Sequence, residues 1–187
     1  MSSVLDNPNV RKSALRLAVD QYHRLCRSGI ISERTELLDG IVVSKMGKSP
    51  LHTWTVSFLA DWLRQVAPAE NTVRTEQPLT LSESEPEPDL SVVRGSRDDY
   101  RSSHPPTAEL VVEVSISTED IDREKKTIYA HANVAEYWIV MPQQRKVLVH
   151  RDADSADRRY ADVVELTDKD AIFWSGATLT LADLFKD

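Results

Sequence analysis

Glu113 stands where an apolar residue is expected. It follows Leu110-Val-Val and precedes Val114, so an ionised carboxylate occupies a strand that otherwise reads as buried on both faces. Burying an unpaired carboxylate costs on the order of several kcal/mol or more. Glu113 therefore calls for a metal ion, a cationic side chain or hydrogen-bond donors. Asp89 is a second such acid: it opens an apolar run straight after Pro86-Glu-Pro88, whose prolines fix its direction. Glu36, on the first half of an expected hairpin, is a third. Hard divalent cations such as Mg²⁺ take one or two protein carboxylates and keep the rest of their shell for water and substrate phosphate. Strand-borne acids suit that need. The histidines His23, His52, His104, His131 and His150 are scattered, no HExxH occurs and Cys26 is the single cysteine, all of which argues against zinc. Ser115 and Ser117 flank the same strand end, but no histidine stands in a partner motif for a serine nucleophile.

The basic element comes from the next helix. At about 100° per residue, Ile121, Ile128 and Ala132 form an apolar stripe with Tyr129 at its side. Lys125 projects from the middle of the stripe and Lys126 lies nearer its border. An inward lysine there reaches back to the carboxylates and can stabilise phosphate charge or help activate a water. The plainer alternative is that Lys125 runs along the core edge with its head in solvent.

These residues need elements to hold them. Leu15 to Arg27 reads as a helix stopped by Gly29. Arg34 to Met46 reads as a hairpin around Asp39-Gly40, a pair suited to positive φ. Pro50 to Val66 reads as an amphipathic helix whose stripe of Trp54, Phe58, Leu59, Trp62, Leu63 and Val66 is core. Thr72 to Glu76 and Pro78 to Leu81 read as strands, and Ser82 to Pro88 as irregular, proline-rich chain. Asp89 to Val93 and Glu109 to Ser115 follow as strands, separated by a polar loop with room for a helical turn. Ile121 to Asn133 is a helix, Glu136 to Met141 and Lys146 to His150 form a hairpin around Pro142-Gln-Gln, and short strands with a terminal turn complete the chain. The order predicts an α/β fold, a mixed β-sheet flanked by helices, in a single domain spanning 1–187.

Composition narrows the class. With 41% hydrophobic and 28% charged residues and no apolar run near the roughly 20 residues that span a bilayer, the chain reads as a globular, non-membrane protein. Its polar start, Met1 to Asn9, lacks the basic-then-apolar order of a secretory signal, and one cysteine suits a reducing compartment. A cytoplasmic location is expected. The formal charge of -7 argues against an extended basic surface for gripping duplex nucleic acid.

Glu36-Leu-Leu-Asp-Gly40, Pro88-Asp89, Val112-Glu113-Val-Ser-Ile-Ser-Thr118, Asp122 to Tyr129 and Glu136-Tyr-Trp-Ile-Val140 resemble, in order, the Uma-type family of restriction endonucleases in the PD-(D/E)XK superfamily. The resemblance runs from about Tyr22 to Arg151. It implies a restriction-endonuclease-like fold and Mg²⁺-dependent hydrolysis of DNA phosphodiester bonds, with Mn²⁺ as an alternative ion. By position it makes Asp89 the motif aspartate, Glu113 the motif acid, Glu36 an additional acid and Val114 a backbone-carbonyl ligand. Ser115 stands where the superfamily has its usual lysine; that lysine has moved to the next helix. Four residues before the tyrosine selects Lys125, whereas four after Asp122 selects Lys126. Asn133 replaces the family's usual glycine, and His52 occupies a position that often carries histidine and could touch substrate phosphate.

Two functions from different classes follow. One is an endodeoxyribonuclease with Glu36, Asp89, Glu113 and Lys125 as its centre. The other is a nuclease-fold binding or assembly module with little catalysis, which the acidic balance favours. The apolar strands and the Tyr137-Trp138 block also suggest exposed aromatic surface for a homodimer.

Overall fold

The structure is a computed structural model that describes residues 7–186; the expectation for the polar start of the chain falls largely outside the described residues. The elements run α1 (Pro8–Ser13), α2 (Val19–Arg27), β1 (Thr35–Leu38), β2 (Ile41–Ser44), α3 (Pro50–Val66), β3 (Asn71–Thr75), β4 (Leu90–Arg94), β5 (Leu110–Val114), α4 (Glu119–His131), β6 (Glu136–Met141), β7 (Lys146–Asp154), β8 (Arg159–Thr167), β9 (Ala171–Trp174), β10 (Ala177–Thr180) and α5 (Leu181–Leu184). Strands β3 to β8 form one six-stranded mixed sheet in chain order. All neighbours are antiparallel except β5 and β6. That parallel pair needs a crossover, and α4 supplies it.

Alternation along the strands divides the core into two layers. Leu110, Val112 and Val114 point to the face covered by α3, where they meet Val56, Leu59, Leu63 and Trp138. Val111 and Tyr137 point to the other face and meet Ile128, Tyr129 and Ala130 of α4. Glu113 shares the parity of Val111, so the period of two aims it toward α4. Each fully buried leucine of α3 contributes about 1.5–3 kcal/mol of hydrophobic stabilisation, which pins that helix across the sheet.

The mixed sheet flanked by helices matches the expected fold class, and α3 has the expected bounds. Four local readings differ. The helix expected from Leu15 starts at Val19: Leu17 N–H donates to the Gly40 carbonyl, and Gln21 Oε1 accepts from Ala18 N, which caps the helix later. Pro78 to Leu81 is no strand, because its amides bond to the loop carbonyls of Pro86, Pro105 and Ser84 rather than to a ladder. Trp54 is exposed and stacks on Phe58 at 5.4 Å between centroids, so the core stripe of α3 is narrower than expected. Tyr137 and Trp138 are fully buried, one on each face of β6, and present no aromatic surface to a second subunit. No helix among the described residues is long and apolar enough to cross a membrane.

The β1–β2 hairpin turns at Asp39 and Gly40, with φ of 47° and 75°. It is docked on the irregular acidic segment by two backbone bonds between Leu37 and Glu85. A β-carbon at Gly40 would lie 2.6 Å from Arg16 Cβ and 3.0 Å from the Leu17 carbonyl oxygen. Gly40→Ala is therefore expected to lower stability by roughly 1–3 kcal/mol, read as a reduced urea midpoint. An unchanged midpoint would show that the turn relaxes freely.

Candidate active site

The cleft lies where β4 begins and β5 ends, with β2, α3 and α4 around it. Five carboxylates line this recess of about 160 Å³: Glu36, Glu87, Asp89, Glu113 and Asp122, together with Lys45, Lys48, Lys125 and His52. Glu36, His52, Asp89, Glu113, Asp122 and Lys125 are buried, whereas Lys45 and Glu87 pair at 2.6 Å at partly exposed positions. Glu113 is 4% exposed and Lys125 is 5% exposed, which makes their contact a buried ion pair rather than a solvated one.

Each position has a local cause. Glu36 is brought in by the docked hairpin and accepts the Glu87 N–H at 2.7 Å. Asp89 leaves Pro88 at the head of β4; its Oδ2 accepts the Val114 N–H at 2.8 Å and lies 3.1 Å from His52 Nε2. His52 is presented by the first turn of α3, whose N-cap Ser49 accepts the His52 N–H. Lys48 Nζ approaches Asp89 Oδ1 at 3.8 Å while bonding Glu76 at 2.7 Å. Glu113 Oε1 accepts from Lys125 Nζ and from the Tyr129 hydroxyl, both at 2.9 Å, and the Asp89 N–H points to Oε2 at 3.4 Å. Lys125 also reaches Glu36 Oε2 at 3.1 Å and lies 3.9 Å from Asp122 Oδ1. The helical spacing of four places Lys125 and Tyr129 side by side on the same acid.

Of the three lysines in the cleft lining, Lys125 is the buried one, beside four buried acids. Burial pushes the Glu113 carboxyl well above the usual range; Lys125 opposes that rise, while Asp122, Asp89 and Glu36 add to it. Asp122 is also raised by burial, against Lys125 and its Thr118 hydrogen bond. Burial alone would lower Lys125, yet Glu113, Glu36 and Asp122 together hold it above its ordinary value. The ammonium therefore stays charged, and a further cation beside these acids would oppose the rise of Glu113 as Lys125 does. Tyr129 is raised by burial and by Glu113 and serves as a neutral donor.

Such a position suits a hard divalent cation. The Asp89 and Glu113 carboxylates lie together at the strand ends beside the Val114 backbone, an oxygen donor set of the kind such ions accept. No group of three His, Cys, Asp or Glu side chains among the described residues forms a ready metal cage. An ion held here would thus take two carboxylates, a backbone oxygen and exchangeable ligands.

The geometry gathers Glu36, Asp89, Glu113, Lys125, Val114 and His52 in one cleft. Lys126 is exposed and does not line it. Asp122, Tyr129 and Lys48 are further members that the sequence reading passed over. The spacing of Tyr129 from Lys125 could have signalled the first contact; Lys48 lies in an irregular segment and carried no signal.

Residues 19–181 match a family described as "Uma2: Putative restriction endonuclease". The chain belongs to the Uma2 family. Among solved structures, it is similar to one described as "a putative nuclease belonging to DUF820" from Anabaena variabilis. The TM-score is 0.72 at 16% identity, over 90% of this chain and 97% of the other. At that identity the likeness establishes a shared fold. No curated protein matches the chain. Uma2 membership and the nuclease fold both support a nuclease.

Proposed function

We propose that this Uma2 chain is an endonuclease that hydrolyses DNA phosphodiester bonds with Mg²⁺, or Mn²⁺ in its place, acting in the cytoplasm as one domain spanning 1–187. The observation that carries the reading is a buried lysine ion-paired to Glu113 and Glu36 among four buried carboxylates, where β4 begins and β5 ends. Asp89, Glu113 and the Val114 carbonyl would hold the ion. When bound, it supplies Lewis acidity toward the scissile phosphate and makes a nearby water more acidic.

The protein groups have separable tasks. Lys125 has three N–H donors; Glu113 and Glu36 take two, and the third is available to a phosphate oxygen or to the attacking water. Glu36 keeps the ammonium in place, and the Glu87 amide keeps Glu36 in place. Tyr129 fixes one oxygen of Glu113, while Val114 N–H and His52 fix one oxygen of Asp89. A side chain locked this way needs little reorganisation as charge develops. Lys126, outside the cleft, has no part in this scheme.

A homodimer would present two clefts to the two strands of a duplex. With Tyr137 and Trp138 buried, its apolar contact would have to come from exposed residues such as Leu51 and Trp54. The competing reading, a binding module without catalysis, draws on the formal charge of -7 and on the absence of a ready three-ligand cage among the described residues. Incubation with supercoiled, linear and single-stranded DNA separates the two. Cleavage is expected with Mg²⁺ or Mn²⁺ and none in the presence of chelator; cleavage that survives chelation, or no cleavage of any form with either ion, overturns the nuclease reading.

A further inference from the structure

Arg74, in the edge strand β3, is 6% exposed and has no carboxylate within ion-pair distance among the described residues. Its Nη2 donates to the Pro78 carbonyl and to His104 Nδ1, both at 3.2 Å, and its guanidinium lies 5.4 Å from the centroid of the Tyr100 ring. Its Nε has no hydrogen-bond partner among the described residues. The contrast with Lys125, buried among carboxylates, is direct. A guanidinium cannot escape burial by losing its proton, so a largely desolvated arginine with no carboxylate partner among the described residues is suited to an anion from outside the chain.

The surroundings suit that anion. Arg74 lines a half-open recess of about 640 Å³ with Gln77, Arg97, Tyr100, Arg101 and His104. The opposing charge at its wall is Asp98, which approaches Arg101 only to 3.9 Å. In the recess lining three arginines face one aspartate, with Glu85 and Glu87 acting on His104 from beyond it, in a chain of formal charge -7. Arginine forks match the paired oxygens of a phosphate. With Nδ1 accepting from Arg74, a neutral His104 carries its proton on Nε2 and adds another donor.

We infer that this recess binds a phosphate group and, resting on the nuclease reading, that it holds a backbone phosphate of the substrate strand away from the scissile bond. The path between the sites is short. Two residues beyond Arg74, the Glu76 N–H donates to the Asp89 carbonyl, roughly 7 Å along extended chain. A strand entering the cleft can therefore place a phosphate only a few nucleotides away into the recess.

The test uses the full chain with chelator present, so binding is read without cleavage. The His104 ring resonances are followed by NMR during titration with inorganic phosphate, and a labelled single-stranded oligonucleotide is followed by anisotropy. Phosphate is expected to shift His104 saturably in the wild type and to do so far less in Arg74→Gln and in the exposed double variant R97Q/R101Q. Oligonucleotide affinity should fall by about tenfold or more, with a shallower salt dependence. The double variant, at exposed positions, keeps the test valid if Arg74→Gln fails to fold. Absence of any saturable His104 shift overturns the site. A phosphate shift that the oligonucleotide neither reproduces nor competes with upholds the site and overturns its link to the strand. Loss of cleavage by the whole protein for other reasons leaves the phosphate result standing, so the two readings fail separately.

Discussion

Asp89→Asn is expected to lower the metal-dependent cleavage rate by at least about a thousandfold while leaving the fold intact. The asparagine oxygen can still accept the Val114 N–H, which Asp89 Oδ2 now takes at 2.8 Å, so the head of β4 keeps its tie to β5. What disappears is one anionic ligand of the proposed ion. Several kcal/mol of transition-state stabilisation is at stake in such a ligand, and each 1.36 kcal/mol is about tenfold in rate. Without metal the stability should be unchanged or slightly higher, because Asp89 is one of the charges that raise Glu113. Single-turnover cleavage at saturating Mg²⁺, beside urea unfolding with chelator, measures both. A variant retaining a large share of the activity would remove Asp89 from the centre. A variant that loses activity and stability together would make it a structural residue.

Lys125→Met is the second large effect, and it falls on stability. Removing one partner of a buried ion pair costs about 3–5 kcal/mol, and here Glu113, Glu36 and Asp122 would all lose their cation. The pH dependence has a definite sign. Lys125 is raised in the folded state, so its contribution is fully present below the ordinary lysine value of about 10.4 and is lost only as pH climbs through the higher folded value. The wild type keeps it throughout neutral pH. Glu113 is also raised, so the folded chain holds that proton more tightly than the unfolded chain, and this term favours folding as pH falls toward about 4.3. Methionine removes the charge that opposes the rise, so more of the Glu113 proton is bound in mild acid. The deficit of the variant should therefore be largest near pH 8 and shrink toward pH 5 in chelator, with added Mg²⁺ recovering part of it. Equal deficits at both pH values would show that Lys125 acts by packing alone.

The readable parts of this protein were those in which one residue contradicts its local pattern. Glu113 breaks an apolar strand, and Lys125 breaks an apolar helical stripe; periodicity then gives each a direction, and they meet at 2.9 Å. Asp39-Gly40 fixed the hairpin because few residue pairs adopt positive φ in succession. Glu36 was weaker. Nothing in its strand says that the hairpin docks on the segment from Ser82 to Pro88, and its place rested on family resemblance until Lys125 was found beside it, 89 positions along the chain.

The misreadings share one origin. Leu15 to Ala18 has helical spacing, but Leu17 is tied to Gly40. Pro78 to Leu81 has strand character, but its amides face loops. For Trp54 and the Tyr137-Trp138 pair the signal is hydrophobicity, which orders burial on average and does not say which side of an element is covered. Arg74 and His104 stand 30 positions apart, and their contact depends on how the loop after β4 folds back.

Local pattern thus determined the strands and helices, the direction of each anomalous side chain and the kind of ion its chemistry suits, because side-chain periodicity and backbone sterics act over a few residues. Tertiary structure decided which anomalies share one cleft, that Lys125 rather than its neighbour enters it, and that Arg74 is buried without a carboxylate partner among the described residues. Those outcomes depend on desolvation and charge pairing between segments distant in sequence, and such energies exist only once the chain has closed.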